Sequence, residues 1–297
     1  MTFFYFQEQK IAYHQIESDK QCTRKNDSEI KTLVFLHGLG ADHRQFIDTG
    51  RKFSGYRILV IDMPGHGETV IDPSEKLEHW FRFETFSNIT LALLDHLCID
   101  KATFVGLSMG AGISIQVALK QPTRVESLIL IRPAWLNRSA TPNLLAIKSI
   151  GEDILQGGIE YAEDRLRTQK WFQKLELENP LCTKSIVGLF TRPQATTAAM
   201  VLINLVNDSP FQQSASLIKI KQPTIVIGND EDLFHPINIA EQLSELIPNA
   251  HYQQLPSRYQ QSEEHHHQLI QLMHLFLTSG ANQHQKPEPK LVELCIK

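Results

Sequence analysis

The chain has 297 residues, 42% of them hydrophobic, and a formal net charge of -4. That length and apolar content suit one large α/β domain, or a core carrying an insertion. Without a basic surplus the composition argues against a nucleic-acid binder, and no run reaches the roughly 18–20 apolar residues that cross a bilayer. Neither nucleic acid nor a membrane is therefore an expected partner. Cys22, Cys98, Cys182 and Cys295 follow no C-x-x-C spacing. Neither a disulfide framework nor a metal site is expected, and a reducing cytoplasm is the expected compartment.

In chain order, the aromatic start Phe3-Phe4-Tyr5-Phe6 has no basic leader and reads as a first strand. Lys10 to Ile16 alternates apolar and polar residues, as an edge strand does. A polar loop over 17–29 precedes Thr32 to Leu36, an apolar run short enough to be a buried strand, which ends in His37-Gly38-Leu39-Gly40. Asp42 with Gln45 three positions on predicts a helix start, with the helix running to about Phe53. Arg57 to Ile61 is β-rich and closes in Asp62-Met63-Pro64-Gly65-His66-Gly67. A helix over Phe83 to Cys98 and a strand over Ala102 to Val105 follow, then an apolar helix over Ile113 to Leu119 and a strand over Glu126 to Ile131. Strand alternating with helix at this spacing implies a parallel sheet covered on both faces.

From Pro133 to about Ile220 strands vanish and helical periods dominate, over 144–155, 158–166 and 196–206. Strand character returns at 223–228, followed by a helix over Pro236 to Leu246, a strand over Ala250 to Leu255 and a helix over Ser262 to Leu277. The polar tail from Ser279 is expected to be loosely ordered.

Chemistry concentrates at Gly106-Leu107-Ser108-Met109-Gly110, between a strand and a helix. In a Gly-x-Ser-x-Gly turn the serine takes a strained backbone conformation, so its neighbours must be nearly free of side chain. The helix start behind it offers unpaired amide donors to a developing oxyanion. A hydroxyl is a weak nucleophile, and it needs a base oriented by an acid.

His37-Gly38-Leu39-Gly40, the segment from Asp62 to Gly67 and the serine elbow, in that order, resemble the α/β-hydrolase family over about residues 30–280. The resemblance implies a mostly parallel sheet of about eight strands flanked by helices. The core would span 1–132 and 221–280, with a helical cap over 133–220 inserted after the sixth strand and a polar tail over 281–297. It makes Ser108 the nucleophile, gives the oxyanion to the amides of Leu39 and Met109, and requires no cofactor or metal. It also implies that His37 braces its loop, and His66 reads as a turn residue.

The family places its acid after the sixth or the seventh strand. Ile131-Arg132-Pro133-Ala134 carries no carboxylate, whereas Asp230-Glu231-Asp232-Leu233-Phe234-His235-Pro236 does. The family's pattern there, an aspartate four residues before a helix-opening proline, implies Asp232, with Asp230 as the alternative. The family's usual Gly-His after the last strand falls near Tyr259-Gln260, where this chain has no histidine. His265, in the first turn of the last helix, is the expected base and His266 the alternative, against a reading of His265 to His267 as a solvated helix start. Arg132, at the carboxyl end of a central strand, could clamp a substrate carboxylate or phosphate, or could pair with Asp232. Trp135 is a further expected substrate contact.

The expected activity is hydrolysis of a small or medium, partly apolar ester, thioester or lactone through an acyl-enzyme. The alternative is a non-catalytic ligand-binding protein on the same fold, because the usual histidine position is empty.

Overall fold

The computed structural model describes residues 2–17, 30–72, 77–196 and 199–278. The polar loop over 18–29 and the tail over 281–297 lie outside the described residues.

Apolar runs with little polar alternation become the interior of one sheet. β1 (Thr2–Phe6) and β2 (Gln9–Ile16) form a hairpin joined by Gln7 and Glu8, both at positive φ (46° and 66°), the mirror-image turn that matches strand twist. β2 is not the edge strand: its outer side pairs with β1 and its inner side with β4 (Arg57–Ile61), leaving β1 on the rim. With β3 (Thr32–Leu36), β5 (Ala102–Leu107), β6 (Val125–Ile131), β7 (Thr224–Asn229) and β8 (Ala250–Leu255), the order is β1-β2-β4-β3-β5-β6-β7-β8. All pairings from β4 through β8 are parallel.

Period-two geometry sends alternate side chains of these strands into two cores. Leu33, Phe35, Ile58, Val60, Val105, Ile129 and Ile131 join Phe46, Phe53, Leu269, Met273 and Phe276 on one face. Val34, Leu36, Leu59, Ile61, Phe104, Leu128 and Leu130 enter the larger core on the other. Because both faces are covered, the strands read as continuous apolar runs.

After a 3₁₀ turn over His43–Phe46 comes the short α1 (Ile47–Arg51), in place of one helix reaching Phe53. Asp42 caps this turn through Arg44 N (3.0 Å), but Gln45 does not complete the reciprocal cap, because its Oε1 accepts from Gly38 N at 2.9 Å. α2 (Leu77–Trp80) and α3 (Phe83–His96) follow, and α4 (Met109–Lys120) starts directly behind the serine turn.

Between β6 and β7 stand α5 (Leu145–Arg167), α6 (Lys170–Glu178), α7 (Pro180–Thr191) and α8 (Ala199–Val206). α5 merges the two expected helices across a kink at Gly158, where φ is +84°. α9 (Ile237–Leu246) and α10 (Ser262–Thr278) complete the flanking layers. No helix among the described residues is long and apolar enough to cross a membrane.

Candidate active site

Strand β5 runs into α4 through a turn that only glycine permits on either side of Ser108. A Cβ on Gly106 would lie 2.2 Å from Gly110 O, and one on Gly110 would lie 1.9 Å from Leu36 O. Ser108 sits at φ +55°, ψ -108°, held by its own N–H donating to Ile131 O at 2.9 Å. That conformation is costly for a residue with a side chain. It carries Oγ clear of the sheet edge, and Met109, the first residue of α4, presents an amide with no intrahelical acceptor.

The imidazole that meets this hydroxyl is His235. Its Nε2 lies 2.9 Å from Ser108 Oγ, and its Nδ1 lies 2.8 Å from Asp232 Oδ1. Both groups come from one turn after β7, in which His235 N donates to Asp232 O (3.4 Å) and Phe234 N donates to Asp232 Oδ1 (3.2 Å). Arg132 Nη1 donates to the other carboxylate oxygen at 2.9 Å. With Asp232 ionised and acceptor-only, Nδ1 carries the imidazole proton and Nε2 is left to accept from the serine.

Burial would raise the pKa of Asp232, but His235 and Arg132 outweigh it and hold the carboxyl well below the usual range. Burial is the largest influence on His235 and lowers its pKa. Asp232 opposes the shift, whereas Arg132 and Arg258 reinforce it. The imidazole is therefore neutral at neutral pH and can take a proton.

His265 stands elsewhere, and the reason is its own helix start. Its Nδ1 donates to Pro256 O at 2.9 Å, closing the turn into α10, and the side chain is 7% exposed. His266 is exposed. The structure brings neither to Ser108 Oγ; that contact is made by His235. Asp230 is exposed and accepts from Gln254 Nε2 at 2.6 Å, away from the imidazole. Trp135 is 2% exposed, its Nε1 donates to Leu205 O (3.1 Å), and its ring meets Phe83 edge-on at 5.3 Å. It packs α3 against α8. Arg132 takes the ion-pair alternative, at φ +45° and 2% exposed.

His235 was legible as Asp-x-x-His-Pro ahead of a helix. Three residues around a turn suffice to place an imidazole beside a carboxylate.

The loop after β3 is braced on both sides of Leu39. His37 Nε2 accepts from Met63 N (3.1 Å), so its Nδ1–H donates to Gly38 O (2.9 Å). His66 Nε2 accepts from Gly40 N (3.1 Å), and its Nδ1–H donates to Pro64 O (3.1 Å). Burial lowers the pKa of both rings, which fits these neutral roles. Asp62 anchors the facing turn by accepting from His43 N (2.7 Å) and Glu68 N (3.0 Å). From the inserted helices, Leu189 closes on Gly40, where a Cβ would meet its Cδ2 at 2.2 Å, and Gln194 Nε2 donates to Gly67 O at 2.8 Å.

A sheet with one reversed strand, β2, a serine at a strained strand-to-helix turn and an imidazole–carboxylate pair from the single turn after β7 define a hydrolase-type fold. The sequence profile of the alpha/beta hydrolase fold matches residues 31–260, and the chain belongs to that family, as an α/β-hydrolase enzyme. Lipase 3 of Moraxella sp. (strain TA144) is 24% identical over 237 residues, spanning 78% of this chain and 72% of that protein. A 2-hydroxy-6-oxononadienedioate/2-hydroxy-6-oxononatrienedioate hydrolase of Cupriavidus pinatubonensis is 26% identical over 242 residues, spanning 74% of this chain and 77% of its own. The enol-lactonase from Burkholderia xenovorans LB400 matches in structure with a TM-score of 0.68 at 19% identity, covering 93% of this chain and 100% of that one.

Proposed function

We propose that this α/β-hydrolase cleaves a small or medium, partly apolar carboxylic ester, thioester or lactone through an acyl-enzyme. The observation that carries the reading is the continuous hydrogen-bonded line Ser108–His235–Asp232. Ser108 Oγ attacks the carbonyl carbon while His235 Nε2 takes its proton, and Asp232 orients and stabilises the resulting imidazolium. The oxyanion is held by the amides of Met109 and Leu39, the latter on a loop stiffened at Gly38 and Gly40. His235 then returns the proton to the leaving oxygen or sulfur. In the second half-reaction it deprotonates a water, which attacks the acyl carbon and frees Ser108. A reducing cytoplasm remains the proposed compartment, in keeping with the free thiols Cys98 and Cys182.

The receptor alternative rested on an empty histidine position, and His235 removes that motive. A fluorophosphonate probe with mass analysis tests the reading: the adduct is expected on Ser108, together with turnover of p-nitrophenyl esters. An unlabelled Ser108 and no turnover across a series of acyl lengths would overturn it.

A further inference from the structure

A cavity of about 510 Å³ opens where α7, the loop after β8 and the start of α10 meet the carboxyl ends of β5 and β6. Its lining includes Arg132, Lys184 and Arg258, with His265 and His266 from the first turn of α10, and no Asp or Glu among the described residues. The charges beside it do not balance. Asp232 is the carboxylate bonded to Arg132, while among the described residues no carboxylate oxygen comes within ion-pair distance of Arg258 or Lys184.

Arg132 is 2% exposed and uses Nη1 on Asp232, yet its Nε is buried without a hydrogen-bond partner. A buried donor left unpaired is costly, the more so on a charged group. Arg258 lines the same cavity as Arg132, and the positive charge of Arg132, followed by burial, lowers its pKa. The first turn of α10 carries Glu263 and Glu264, both exposed and neither lining the cavity, so the positive charge there comes from the side chains of Arg132, Arg258 and Lys184.

We propose that this cavity is a binding site for the oxyanion of a small molecule, a carboxylate or phosphate group, gripped by Arg258, Lys184 and the Nε edge of Arg132. Two sources could provide that group: an anionic substituent on the substrate itself, or a separate small anion. Arg132 links the site to Asp232, so occupancy is one side chain removed from the His235 pair. The substrate source rests on the hydrolase reading above, whereas binding of an anion does not.

The test is calorimetric titration of the full chain with inorganic phosphate and with succinate. Parallel titrations use Arg258→Gln and Lys184→Gln, the latter at an exposed position that does not endanger folding. Saturable binding to the wild type, weakened about ten-fold or more in Arg258→Gln and less in Lys184→Gln, is expected for charge-assisted hydrogen bonds. Should Arg258→Gln fail to fold, the Lys184→Gln titration decides alone. Absence of saturable binding, or equal affinity in the wild type and the folded variants, overturns the proposal.

The source is read from the turnover ratio of mono-p-nitrophenyl succinate to neutral p-nitrophenyl butyrate. A ratio that drops in Arg258→Gln, with phosphate competing against the succinyl ester, assigns the site to the substrate. An unchanged ratio, with phosphate bound by the wild type and weakened in Arg258→Gln, assigns it to a separate anion. Phosphate binding without turnover of either ester sinks the hydrolase reading and leaves the anion site standing.

Discussion

The loops after β7 and after β8 lie side by side at the same sheet edge and carry opposite chemistry. The first, 230–236, folds back through the turn from Asp232 to His235, so that one short segment supplies the imidazole that meets Ser108 and the carboxylate behind it. The second, 256–261, is where the family resemblance led one to look for the imidazole, and it holds Arg258 and Tyr259 beside a cavity instead. An imidazole supplied one strand over still meets Ser108, because Nε2 needs only to arrive within hydrogen-bond reach of Oγ. That placement also leaves the neighbouring strand end without an imidazole, and its Arg258 lines one cavity with Arg132, the ion-pair partner of Asp232. A triad is thus a requirement on where three atoms meet, and adjacent parallel strands both end close enough to meet it.

The sharpest way to break this comparison is to remove each of the two histidines in turn. His235→Ala should lower kcat on a p-nitrophenyl ester by on the order of 10⁶-fold, as expected for loss of a triad base. His265→Ala should keep most of the turnover, since that ring is engaged with Pro256 O. The reverse ranking would return the base to α10. Next in size, Asp232→Asn should cost about 10⁴-fold in kcat, because an amide can hold the imidazole in the wrong tautomer. Steady-state kinetics with the folded variant checks it, and a loss below ten-fold would mean the carboxylate does not orient the ring.

The smallest effect concerns Arg132 and is read from pH. His235 must be neutral to act, so activity falls as pH drops through its pKa. That pKa is lowered by burial first and by Arg132 and Arg258 further, which places the acid limb of kcat/KM below the ordinary imidazole value of 6.5. Arg132→Gln removes one lowering influence, so the limb should move upward. Unfolding in denaturant should show a loss of about 3–5 kcal/mol, since Asp232 keeps its charge and loses a buried partner. A limb that stays in place would detach Arg132 from the imidazole and leave it a purely structural group.

Much of the scaffold was legible without coordinates. Runs such as Thr32 to Leu36 and Ala250 to Leu255 have the length and composition of strands, and they fall where the structure has β3 and β8. Local rules were less reliable where a side chain had a tertiary alternative. Gln45 left its cap position to hold Gly38 N, and β2 read as an edge strand although β1 covers it. At the site, the serine turn could be read from two glycines, whereas the imidazole could not be found by looking where relatives of this fold usually carry it.

The amino-acid order alone determined the strained turn at Ser108, because backbone crowding at Gly106 and Gly110 is a local matter of missing Cβ atoms. It also determined the parallel sheet, through buried runs separated by helices. Only the folded arrangement decided which of several histidines meets the hydroxyl, whether Arg132 pairs or lies open, and which loop is left electropositive. Those outcomes depend on distances between strand ends far apart along the chain, and residue spacing carries no measure of such distances.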